Sequence, residues 1–235
     1  MNLEVKSKYL IPVSVIIAGA IIALAVVYVG GPKKEQAGFE SKKEQAAVAG
    51  LSDDAQTLLK IQEDDFVLGN PSAPVVFVEF GDFQCPFCGR FWSQTLPQIK
   101  EKYVKAGQVV FVWRDFAFLG QESYDAAVAA RCAGEQGKFW EYHDALFGNQ
   151  QGENRGAFSD ANLKSFAANL GLESQKFNEC LDSEKYLSAV QDESALGRQL
   201  GVSGTPSSFI NGRHITGALP LSSFEAVIQE ELAGN

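Results

Sequence analysis

The chain has 235 residues, 21% charged and 46% hydrophobic, a composition that excludes bulk disorder and collagen-like or low-complexity classes. Twenty Lys and Arg against 29 Asp and Glu leave a formal charge of −9, which argues against a phosphate-backbone partner, so no nucleic-acid role is expected. Four cysteines are too few for a disulfide-dense mini-protein. With two histidines they leave a metal site to be decided by spacing.

The run from Tyr9 to Val29 carries no charge. As a helix it would span about 31 Å, close to the hydrocarbon thickness of a bilayer. It is expected to be an uncleaved transmembrane anchor behind a short cytoplasmic N-terminus, residues 1–8. The alternative is a cleaved signal peptide, with Ala23-Leu24-Ala25 at the cleavage site. Lys6 and Lys8 before the span balance Lys33 and Lys34 after it, so charge alone leaves orientation open. Residues 30–60, balanced in charge and poor in apolar side chains, read as a polar tether with a helical stretch around Ser52 to Leu59. Residues 61–235 are long enough for a single core.

Within that domain, Pro74 to Phe80 is rich in β-branched and aromatic residues and reads as a buried strand. Gly81 to Gln84 is a turn. Pro86 suits the first position of a helix. Cys88, Phe91, Thr95, Ile99 and Lys102 would share one side of it, with Trp92, Leu96 and Tyr103 beside them. Pro97 is expected to kink the helix, and Gly107 to end it. Gln108 to Trp113 is a second buried strand, so strand, helix and strand form a βαβ unit with a parallel pair. From Gln121 to about Leu200 the pattern is helical, over 125–133, Phe139–Phe147, Asn162–Leu170 and Phe177–Leu200. Ser159 is a candidate N-cap for a helix at 160–170. Ser208 to Ile215 reads as a hairpin with Asn211-Gly212 as a type I′ turn. Leu221 to Leu232 is a closing amphipathic helix. The fold class is α/β.

The chemistry lies in Cys85-Pro86-Phe87-Cys88, at a helix start that follows a strand. Zinc would need a second close ligand pair. Cys132 and Cys180 stand alone, and His143 and His214 are near neither, so no metal is expected. No other cofactor is expected. A thiolate at a helix N-terminus meets free backbone N–H groups and the positive end of the helix dipole, which lowers its pKa and keeps it ionised near neutrality. Cys85, at the exposed end, is the candidate attacking thiol. Cys88, one turn in, is the candidate resolving thiol. Pro86 and Phe87 between them would tune the redox potential.

Two further positions bear on this chemistry. Glu79 is the one ionisable residue in its apolar strand. Either burial raises its pKa and lets it relay protons to Cys88, or strand alternation points it to an exposed face. Thr205-Pro206 precedes a strand. A cis bond there would expose backbone groups to a substrate peptide. On the residues alone a trans bond is expected, since about 5–6% of X-Pro bonds are cis.

The run from Phe66 through Cys88 resembles the opening of the DsbA-like thiol-disulfide oxidoreductases of the thioredoxin superfamily. The segment Ala129 to Asp144, followed by Leu146-Phe147, resembles the helical insertion of that family. Gly204-Thr-Pro-Ser-Ser-Phe-Ile-Asn-Gly212 resembles its cis-proline loop and hairpin. The resemblance implies a thioredoxin fold with an inserted helical domain at about 118–197. It implies Cys85 as nucleophile, Cys88 as resolving thiol and Glu79 as the buried acid. It also implies that Thr205 and a cis Pro206 form a substrate-binding loop. One position departs: strong oxidants of this family carry His where this chain has Phe87, and Phe cannot donate a hydrogen bond to the thiolate. Some relatives have a second disulfide in the helical block, which would pair Cys132 with Cys180; two free buried thiols are the alternative.

An even cysteine count with no spare favours an oxidising compartment, and so a domain on the extracytoplasmic side of the cell membrane. The resemblance then implies an oxidase that donates its disulfide to cysteine-containing secreted proteins. A membrane partner of the DsbB or VKOR type would recycle it. The protein is expected to act as a monomer. The alternatives are a reductase or isomerase on the same fold, or a non-catalytic binding module.

Overall fold

The structure is a computed structural model that describes residues 48–50 and 57–234. Its frame is a six-stranded mixed sheet in the order β1-β6-β5-β3-β4-β2. The strands are β1 (Val48–Gly50), β2 (Phe66–Leu68), β3 (Val75–Gly81), β4 (Val109–Asp115), β5 (Ser207–Ile210) and β6 (Arg213–Thr216). β3 and β4 run parallel, in register from Val75 opposite Val109 to Gly81 opposite Asp115. All other neighbours are antiparallel. The central strands are buried along nearly their whole length, as strands covered on both faces must be.

The crossover from β3 to β4 is a helical run, α1 (Pro86–Arg90) and α2 (Leu96–Ile99), with π-helical turns at Phe91–Thr95 and Lys100–Val104. Pro97 has no N–H to give an ordinary helical bond. The chain meets that loss with the wide turn before it, where Leu96 N–H reaches back to Phe91 O. Phe91, Leu96 and Ile99 pack against Phe77 and Phe111 of the sheet. Lys102 does not join them; it is exposed and pairs with Glu225 at 2.8 Å. The same face receives Phe224, Val227 and Ile228 of the last helix, α8 (Leu221–Gly234).

Between β4 and β5 lies the helical block: α3 (Gln121–Gly134), α4 (Phe139–Gly148), α5 (Asp160–Asn169), α6 (Ser174–Asp182) and α7 (Leu187–Gln199). A core of small and aromatic residues joins these helices. Cys132 of α3 and Cys180 of α6 are bonded, with Cα atoms 5.8 Å apart. Ser159 does occupy the N-cap position of α5, but its side chain makes no cap hydrogen bond. The hairpin turn has Asn211 at φ 45° and Gly212 at φ 83°, both positive as a type I′ turn requires.

β1 and β2 were not legible as strands. Each has three residues, too short for a period to show. β1 also falls in the stretch read as tether, and so does Leu59, which is buried under the opposite sheet face with Phe80, Val112 and Phe209. Arg114 fixes this segment: it donates to Leu58 O, Lys60 O and the Asp65 carboxylate. Of the helix expected at Ser52 to Leu59, the described part is its end at Thr57 and Leu58. The expected anchor at Tyr9 to Val29 lies outside the described residues. Among those described, no helix is long and apolar enough to cross a membrane.

Candidate active site

The site is built where β3 ends. Gly81 passes under the Trp113 ring, and a Cβ there would lie 2.2 Å from it, so only glycine admits this close approach. The chain then turns through Asp82. This buried carboxylate accepts Gln84 N–H at 2.8 Å, Ser123 Oγ–H at 2.8 Å, Phe118 N–H at 3.0 Å and Leu119 N–H at 3.2 Å. Burial raises its pKa and those four donors oppose the rise. The sequence reading missed Asp82 as an organising residue. The local signal was an aspartate two before a residue whose N–H it can accept, an Asx turn.

Cys85 is the N-cap residue of α1 and Pro86 opens the helix. The Thr205-Pro206 bond is cis, against the trans bond expected from the residues alone. The base rate for X-Pro bonds says nothing about a loop whose partner lies across the chain. That loop sits on the dithiol, with Thr205 O 3.2 Å from Cys85 Sγ. Its cover corrects the expectation that Cys85 stands at an exposed end: Cys85 is 4% exposed and Cys88 fully buried, whereas Phe87 is 54% exposed. The two sulfurs are unbonded, so the structure shows the dithiol form.

The two thiols are driven apart in acidity. Hydrogen bonding from Cys88 is the largest cause that lowers Cys85, to about 6, with the Thr205 side chain and the N–H groups of Cys88 and Phe87 adding to it against the cost of burial. Burial pushes Cys88 well up, and the neighbouring Cys85 and Glu79 reinforce this. Glu79 lies on β3 and is 1% exposed, because both faces of that strand are covered and alternation offers it no solvent. Burial raises its pKa well above the usual carboxyl range, and the Cys85 charge raises it further. Glu79, Cys85, Cys88, Thr205 and Pro206, spread over 128 positions of sequence, thus meet at one point.

The other candidates lie elsewhere. Cys132 and Cys180 are joined within the helical block. His143 is buried with Nδ1 3.0 Å from Asp144, and His214 Nε2 lies 2.5 Å from Ser207 Oγ. Among the described residues no group of three or more His, Cys, Asp or Glu side chains could hold a metal ion.

A family model described as thioredoxin matches residues 61–230. Disulfide bond formation protein D of Bacillus subtilis is 30% identical over 171 residues, 72% of this chain and 77% of that protein. The crystal structure of oxidised BdbD from Bacillus subtilis superposes with a TM-score of 0.69 and 29% identity, over 73% of this chain and 95% of that one. Wolbachia pipientis α-DsbA1 gives a TM-score of 0.69 and 26% identity, over 77% of this chain and 96% of that one. The Na(+)/H(+) antiporter NhaA 1 of Salinispora arenicola is 34% identical over 172 residues, but this chain spans 25% of its length. On the fold, the dithiol at a helix start and these likenesses together, the chain belongs to the DsbA-like thiol-disulfide oxidoreductases of the thioredoxin family.

Proposed function

We propose that the protein is an oxidase that donates a Cys85–Cys88 disulfide to cysteine-containing secreted proteins. The observation that carries this reading is the split in acidity between the two thiols. A stabilised Cys85 thiolate stabilises the reduced form, and a stable reduced form makes a strong oxidant. In the reaction a substrate thiolate attacks Cys85 Sγ of the disulfide. The Cys85–Cys88 bond breaks, and Cys88 leaves with the electron pair and takes a proton from Glu79. A second substrate thiolate then attacks the substrate sulfur of the mixed disulfide, and Cys85 leaves as a thiolate. The substrate loses two electrons and its thiol protons, and the enzyme holds the dithiol. A membrane partner of the DsbB or VKOR type would take those electrons back.

In this reading Cys85 is the sulfur that carries the mixed disulfide, Cys88 is the leaving group that in the reverse direction is the resolving thiol, and Glu79 is the proton carrier. Thr205 and Pro206 present the loop that lines a substrate peptide, and Pro86 and Phe87 set the potential. Tyr9 to Val29 would hold the domain as a single-pass monomer on the extracytoplasmic side, behind a tether over 30–60. A disulfide bond between Cys132 and Cys180 suits that compartment.

Equilibration of the full chain against glutathione buffers tests the direction. A potential near about −120 mV supports disulfide donation, and one near about −270 mV makes the dithiol an electron donor instead. Phe87 is the observation that favours this second reading, as a reductase or isomerase, because its ring offers no donor to the thiolate. Full activity in Cys85→Ser would overturn both readings in favour of a binding module.

A further inference from the structure

The Cys85 carbonyl is held twice. It accepts Gly89 N–H at 3.1 Å, a bond of the helix itself, and the Gln150 side-chain amide at 3.2 Å. The same Gln150 Nε2 donates to Phe83 O at 2.5 Å. Gln150 follows α4 in the helical block, so one amide reaches across 65 positions of chain to pin the backbone on both sides of Gln84. Gln84 is tied to the same loop through its Oε1, which accepts Asn154 N–H at 2.5 Å, and to α3 through its Nε2, which donates to Ser123 Oγ at 2.9 Å. The other end of the Gln150 amide lies over Gly89, where a Cβ would stand 2.4 Å from Gln150 Oε1. Glycine is a poor residue inside a helix. Here its missing side chain is the space the amide fills.

We propose that Gln150 is a positioning residue for thiol exchange: from the helical block it fixes the Phe83 and Cys85 carbonyls, and so holds Cys85 Sγ over the first N–H groups of α1, and that Gly89 is glycine in order to admit it. The proposal rests on the reading of Cys85 as the exchanging sulfur that is held as a stabilised thiolate in the dithiol form. The N–H groups of Phe87 and Cys88 both favour the charged sulfur, and they do so only while the residue before the helix keeps its orientation. A clamp on the carbonyls of residues 83 and 85 supplies that orientation from outside the loop. It also gives the helical block a part in the chemistry that contacts no substrate.

The test follows ionisation of the dithiol form of the full chain by thiolate ultraviolet absorbance. Cys88 stays protonated and the Cys132–Cys180 pair is bonded, so the signal reports Cys85. Gln150→Ala should raise the Cys85 titration by about half a unit to one unit, a three- to tenfold weaker ionisation. Gly89→Ala should reproduce that shift, because its methyl displaces the amide. In the double variant Gly89→Ala should add nothing, since the space is then open. A loop held only for folding would leave the titration unmoved in both variants, and that result, or independent additive shifts, overturns the proposal. The two failures are distinguishable. If wild type shows no titration near about 6, the reading of Cys85 falls and takes this proposal with it. If wild type titrates there and the variants follow it, the role of Gln150 alone falls.

Discussion

Ser208 stands directly opposite Glu79 across the β3–β5 ladder, and its buried hydroxyl has no hydrogen-bond partner. Facing residues in such a ladder have Cβ atoms about 4.5–5.5 Å apart, so the hydroxyl lies within reach of the carboxyl group by a rotamer change. An unused donor beside a buried acid can serve its charged form.

Glu79→Gln keeps the shape of the side chain and removes its proton chemistry. Attack of Cys88 on a mixed disulfide at Cys85 should slow about a hundredfold near neutral pH, within the usual range for loss of a general acid or base. Rapid-quench kinetics on a labelled mixed disulfide would show it. An unchanged rate removes Glu79 from the mechanism.

The Cys85 thiolate should make the dithiol form more stable as pH rises. Its folded pKa is about 6, below the ordinary thiol value of about 8.5, so its contribution is full above the latter and is lost as pH falls through the former. Above about 8.5 the trend should turn, because Cys88 must stay protonated in the fold while the unfolded chain can ionise. Measured across pH, the urea midpoint of the dithiol form should therefore gain most on that of the disulfide form near about 8.5.

Phe87 is 54% exposed, so Phe87→His should fold unchanged. A ring that donates a hydrogen bond toward the thiolate should lower the Cys85 pKa and raise the potential, in glutathione equilibration, by about 30 mV or more, which corresponds to about tenfold in the equilibrium constant. An unmoved potential would show that this position does not reach the sulfur.

Arg131 holds two carboxylates at once: Asp115 at 2.6 Å and Glu193 at 2.6 Å. Burial, then the Asp115 charge, pushes Glu193 up to about 7. Arg131→Met leaves both acids without their cation, which should cost about 3–5 kcal/mol at neutral pH. Without the Arg131 charge the Glu193 pKa rises above its value of about 7, so the loss should be largest well above about 7 and shrink as pH falls to about 7, below which Glu193 is protonated with or without Arg131. Chemical denaturation of wild type and variant at two pH values decides it.

Removal of the Cys132–Cys180 bridge by Cys132→Ala with Cys180→Ala should destabilise the fold by about 4 kcal/mol in the chain-entropy model for the 48-residue separation. Thiol exchange at Cys85 should persist, because the pair lies in the helical block. A stability loss below about 1 kcal/mol would mean that the unfolded chain is already confined there.

What the sequence made legible was local chemistry. Apolar runs revealed β3 and β4, Asn211-Gly212 revealed its hairpin turn, and Cys85 to Cys88 revealed the reacting pair, because each signal lies within a few residues. What it hid was set by partners far along the chain. Cys85 is covered by a loop 120 positions away, a fact no window of sequence contains. Gln150 is an ordinary polar residue of a loop until Phe83 and Cys85 lie beneath it. Arg131 is one basic residue in an alanine-rich helix until β4 and α7 bring it two acids. Glu79 shows both sides: its oddness was visible at once, and its burial was decided by what covers the second face of β3.

The bridge between α3 and α6 has a bearing on how the molecule comes into being. A newly made chain carries four thiols, and in its fold one pair, Cys132 and Cys180, is joined. Forming that bond consumes a two-electron oxidant. An enzyme of thiol exchange is in this respect also a client of it, and its first disulfide has to come from a molecule other than itself.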